Sequence, residues 1–122
     1  MGLQEDKGSS ENRHLHILWT NADPLTAHQM VMMYAVNSLR AGWWDQVTVI
    51  IWGATAKYVA EDAAIQERIR AAMYVGVKFT ACIACAVNLG VRERLEELGI
   101  ELKPWGEPLT ELLQRQETIL TV

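Results

Sequence analysis

The chain alternates between two kinds of hydrophobic pattern. Short apolar runs fit strands, and longer stretches with apolar residues three or four apart fit helices. His14 to Thr20 (HLHILWT) is the first short run. Asn21, Asp23 and Pro24 follow it, with Asp23 suited to cap a helix and Pro24 to open one. The helical stretch Leu25 to Ala41 stops at Gly42. Gln46 to Trp52 (QVTVIIW) is nearly continuous and rich in β-branched residues, as in a strand buried on both faces. Gly53, Ala54 and Thr55 turn the chain into one or two helices from about Ala56 to Val75. Val77 to Ala81 reads as a third strand, and a helix runs from about Cys82 to Leu98 with a break near Gly90. Ile100 to Lys103, Leu109 to Gln116 and Thr118 to Val122 read as strand, helix and strand, with Gly99 closing the helix before the first of them.

Strand and helix thus alternate to the end of the chain. That order predicts an α/β fold, a three-layer α/β/α sandwich with a mostly parallel five-stranded sheet. In such sheets functional residues gather at the carboxyl ends of the strands. The loops after Thr20, Trp52, Ala81 and Lys103 are therefore the ones to watch.

The 122 residues suffice for one domain, assigned to 14–122, with 1–13 read as a flexible polar tail. Half of the residues are hydrophobic, so a real core forms. Eleven Lys and Arg against fifteen Asp and Glu give a net charge of −4, which argues against nucleic-acid binding. No apolar run reaches the roughly 20 residues of a membrane span. The polar first residues do not read as a secretory signal, so a cytoplasmic protein with free thiols is expected. Two Cys are too few for a disulfide scaffold. The three scattered His residues give no structural zinc site, and no cofactor motif is present.

The sequence Cys82-Ile83-Ala84-Cys85 carries the strongest chemical signal. It lies where the third predicted strand passes into a helix. Free backbone N–H groups and the helix dipole there favour a thiolate, most of all at Cys82. Cys85 falls on the same helical face and could pair with it. The opposing reading is two packed, inert thiols among Ala81, Ala84 and Ala86. Around the pair the strand-end residues Asn21, Gly53, Thr55 and Lys57 offer a small polar pocket, with Lys57 able to stabilise sulfur anions. Ordinary capping and turn chemistry is the preferred account of Asn21, Asp23 and Thr55, and Lys57 also reads as a solvated surface residue. Trp105 could wall the pocket. His28 is a weak proton-donor candidate, and Asn88 is read as packing beside Gly90. Trp43 and Trp44 belong at the other end of the sheet, one capping the core and the other free to meet a partner subunit.

Cys82 to Gly90 (CIACAVNLG), Leu98-Gly99-Ile100-Glu101, Gly106, Leu109-Thr110-Glu111 and the closing ILTV together resemble the DsrE/DsrF-like family. This family includes the sulfur-relay proteins of the DsrEFH and TusBCD complexes and the YchN-like proteins. A cysteine after the third strand with a glycine eight residues later matches Cys82 and Gly90. Ile50-Ile51-Trp52-Gly53 matches the apolar strand ending in glycine. The resemblance spans Leu15 to Val122. It implies a persulfide carrier that takes sulfane sulfur from a donor protein onto Cys82 and passes it to an acceptor protein, with Cys85 as auxiliary thiol. It also implies a trimeric or hexameric homo-oligomer. Two other readings stay open: a non-catalytic oligomeric subunit or small-ligand-binding module with inert thiols, and a thiol–disulfide switch.

Overall fold

A computed structural model describes residues 13–122. The polar tail assigned to 1–13 lies outside them except for Arg13. The Arg13 backbone N–H donates to Asp45 at 2.9 Å and its guanidinium to the Gly42 carbonyl at 3.1 Å.

Strand β1 is His14–Trp19, β2 is Gln46–Ile51, β3 is Lys78–Cys82, β4 is Glu101–Lys103 and β5 is Ile119–Thr121. Helix α1 comprises Pro24–Thr26, the wider π-helical turns Ala27–Met32, and Met33–Arg40. Helices α2 (Ala54–Glu61), α3 (Ala63–Val75), α4 (Ile83–Asn88), α5 (Arg92–Glu97) and α6 (Gly106–Gln114) follow. All pairings are parallel, in the order β4-β3-β2-β1-β5. The predicted alternation is therefore the observed one, with boundaries displaced by a few residues. Asp23 caps α1 by accepting from the Thr26 N–H, and Pro24 opens the helix. The expected break at Gly90 is a helix-ending turn. The Gly90 and Val91 N–H groups donate back to the carbonyls of Val87 and Ala86, and Gly90 sits at φ +72°, where a side chain is disfavoured.

The strand order explains how the layers form. Each crossover from β1 to β4 steps in one direction along the sheet, so right-handed connections place α1 to α5 on one face. That face is apolar throughout: Leu15, Ile17 and Trp19 of β1, Val47, Val49 and Ile51 of β2, and Phe79 and Ala81 of β3. They pack against Val31, Ala35, Val59, Ile65, Ile69 and Leu95 of the helices. The connection from β4 to β5 runs back across the sheet and lands α6 on the opposite face. There a smaller cluster forms from Ile50, Cys82, Trp105 and Leu112, with Leu18, Trp52, Leu109 and Ile119 against it.

The second face also carries His14 and His16, whose rings stack 3.9 Å apart. The His14 ring shares a 2.8 Å hydrogen bond with the Thr48 hydroxyl, and His16 Nδ1 is buried with no partner. Burial lowers both imidazoles below their ordinary value of 6.5, and for His16 the nearby His14 adds to this. A depressed folded-state value means the unfolded chain takes up protons first. Stability from this pair is thus complete above 6.5 and lost as pH falls below it. Thermal unfolding followed from about pH 7 to about pH 5.5 should show a falling midpoint, and His16→Leu should flatten that fall.

At the other end of the sheet Trp44 packs on the core and donates to the Tyr34 hydroxyl at 3.3 Å. Trp43 is 55% exposed and leans on the Tyr34 ring. One tryptophan packs against the core and the other stands out from it. Among the described residues no helix is long and apolar enough to cross a membrane.

Candidate functional site

The site lies at the carboxyl ends of β2 and β3, where these adjacent interior strands hand over to helices. Cys82 ends β3 and is the residue before α4. The strand alternates sides, so Cys82 shares the α6 face with Thr80, while Phe79 and Ala81 face the main core. Cys82 is 6% exposed and packs with Ile50, Trp105 and Leu112. Trp105 covers it, itself 4% exposed, with its indole N–H held by the Thr80 hydroxyl at 2.9 Å. The ammonium of Lys103 lies 4.5 Å from the Trp105 ring centroid.

Cys85 stands one turn into α4, half-buried, and packs against both clusters. It lines a cleft of about 500 Å³ together with Gly53, Ala54, Lys57, Asn88 and Leu89. Burial pushes the Cys85 thiol up from its ordinary value of 9.0, the Gly53 backbone N–H facing the sulfur pulls it back, and the neighbouring Cys82 thiol adds to the rise. Both cysteines are free. Of the pair, Cys82 is the inner residue and Cys85 the one that lines the cleft. The amide facing the outer sulfur comes from the β2–α2 turn instead of the helix that bears the thiols.

That turn is held from behind by Thr55. Its buried hydroxyl donates to the Trp19 carbonyl at 2.7 Å and accepts from the Trp52 N–H at 3.1 Å. Gly53 between them adopts φ +73° and ψ −130°, a conformation almost confined to glycine. A methyl group added there would meet no atom within 4 Å, so any cost of Gly53→Ala is conformational. We expect this variant to lose roughly 1–3 kcal/mol in denaturant unfolding. Turning the amide away from Cys85 should also slow alkylation of that thiol at neutral pH.

Of the residues selected from sequence, Gly53, Lys57 and Cys85 line the cleft. Thr55 lies beneath it as the fastening of the turn. Asn21 does not line it: its side chain accepts from the Asp23 N–H at 2.9 Å, and its carbonyl accepts from the Trp19 indole N–H at 2.9 Å. Trp105 walls Cys82 on the α6 side and leaves the cleft alone. His28 is not among the lining residues either. Asn88 corrects its sequence reading, because it lines the cleft one helical turn beyond Cys85; the spacing of three residues was the available signal. Ala54 and Leu89 were missed, since aliphatic residues at loop ends carry no chemical mark. Among the described residues no group of three or more His, Cys, Asp or Glu is placed to hold a metal ion.

No family model matches the chain, and no curated protein matches it. A solved structure does: that of a conserved protein of unknown function, BT1422, from Bacteroides thetaiotaomicron. The two are 40% identical over 91% of this chain and 96% of that one, with a TM-score of 0.88. The chain belongs to the same family as BT1422. That protein has the same α/β/α fold with a parallel five-stranded sheet.

Proposed function

We propose that the chain is a thiol-based carrier of sulfane sulfur, of the DsrE-like kind suggested by its sequence, with Cys85 as the entry thiol and Cys82 as the thiol behind it. The observation that supports this reading is the pair itself. Two free thiols lie side by side at the carboxyl end of a central strand, and one of them faces a cleft that also presents a backbone amide and a lysine.

In the first step the Cys85 thiolate attacks the outer sulfur of a donor persulfide. A new S–S bond forms on Cys85, the donor's S–S bond breaks, and the donor leaves as a thiolate. No electrons are gained or lost overall. Attack by an acceptor thiolate on the terminal sulfur repeats the exchange and restores Cys85. The raised Cys85 thiol leaves little thiolate at rest. The Gly53 amide and a deprotonating donor therefore matter to the rate.

Incubation with a polysulfide, followed by intact mass and peptide mapping, tests the reading. One added sulfur atom on Cys85 is expected, or its discharge product, a Cys82–Cys85 disulfide with released sulfide; neither product under conditions that load a known carrier overturns it. The burial of Cys82 favours a second reading, in which the thiols only pack, as in a non-catalytic subunit. Alkylation of the native protein separates the two: slow reaction at both thiols supports packing, and selective reaction at Cys85 supports the carrier. Assembly into a trimer or hexamer belongs to the same proposal, and mass measurement in solution checks it.

A further inference from the structure

Resting on the carrier reading, we propose that the cleft at Cys85 takes a low-molecular-weight persulfide whose organic body bears a carboxylate, with Lys57 binding that carboxylate. Three features of the lining point to this class of donor. A cleft of about 500 Å³ is within the range of small-molecule sites, whereas an inorganic polysulfide or thiosulfate fills a small part of it. Ala54 and Leu89 offer aliphatic contact to a carbon skeleton, which an inorganic anion cannot use. Lys57 is the cation in the lining, and no carboxylate faces it from within the cleft. The ion pairs among the described residues use Arg13, Arg70, Arg92, Arg94 and Arg115 and leave Lys57 unengaged.

The lining therefore has a reacting end and a binding end. At the reacting end the Cys85 sulfur faces the Gly53 amide, which can stabilise the anionic sulfur of the transfer. At the binding end Lys57 and the Asn88 side chain, each on a helix flanking the cleft, can hold a carboxylate by charge and hydrogen bond. The transfer is the exchange given above: the outer sulfur moves to Cys85, the donor's S–S bond breaks, and the carboxylated thiol departs as its thiolate.

Protection of Cys85 from a neutral alkylating agent reads this binding without requiring sulfur transfer. S-methylglutathione is the probe, and its dimethyl ester, with the carboxylates masked, is the control. The acid should protect Cys85 at a concentration roughly tenfold lower than the ester, the difference expected for one charge-assisted contact. Lys57→Gln should bring the acid down to the level of the ester. Equal protection by acid and ester, protection by neither, or an unaltered preference in Lys57→Gln overturns the inference. Polysulfide loading in the same samples keeps the two ideas apart. Loading without selective protection refutes the carboxylated donor alone, and no loading from any donor refutes the carrier.

Discussion

Cys85→Ser should abolish sulfur uptake, down to the background of a chain with no thiol, whereas Cys82→Ala should take up one sulfur atom and keep it. The asymmetry follows from position. Cys85 lines the cleft, and Cys82 sits under Trp105. With both thiols present, Cys82 can attack the inner sulfur of a Cys85 persulfide, closing a Cys82–Cys85 disulfide and expelling hydrosulfide. Without Cys82 that route is gone, so the persulfide should persist. Intact mass against time, with sulfide captured in parallel, checks both statements. Cys82→Ala removes a small buried group and should cost only about 1 kcal/mol, so the variant should fold. If Cys85→Ser still loads and Cys82→Ala does not, the roles assigned to the two thiols are the wrong way round.

Trp105→Ala should be the most destabilising change near the site, by roughly 3–5 kcal/mol, through loss of a large buried side chain and the cavity left behind. It should also expose Cys82, raising its alkylation rate well above that of the parent protein. Trp105→Phe separates the contributions. It keeps most of the apolar area and loses the 2.9 Å bond to Thr80, so about 1 kcal/mol should go and Cys82 should stay covered. Denaturant unfolding and thiol alkylation, measured on the same samples, read both effects. Cys82 alkylation in Trp105→Ala that is no faster than in the parent would show that the indole is not its cover.

Much of the architecture was legible because its causes are local. β2 is a β-branched run buried on both faces, Asp23 and Pro24 mark the start of α1, and Gly90 ends α4 by its backbone geometry. The π-helical turns Ala27–Met32 had no such mark, because a widened turn answers to packing against α3 and not to residue type. In the site, Cys82 ends β3 instead of opening the helix as expected, and so falls beside Thr80, on the side away from Phe79 and Ala81. What could not be read was the cover on that side. Trp105 and Leu112 come from some twenty to thirty residues later in the chain, and only the return of α6 across the sheet brings them there. Gly53 lies as far away in the other direction, and its amide meets Cys85 only because β2 and β3 are neighbours in the sheet.

The segment Gly106–Thr121 both roofs the second face of the sheet and supplies its outermost strand. Its seam with β1 is short, involving three residue pairs. The inner sulfur is therefore guarded in part, through Leu112, by a segment that joins the sheet along one edge. Displacing that segment would strip Leu112 from Cys82 while leaving Trp105 in place and the helices on the opposite face undisturbed.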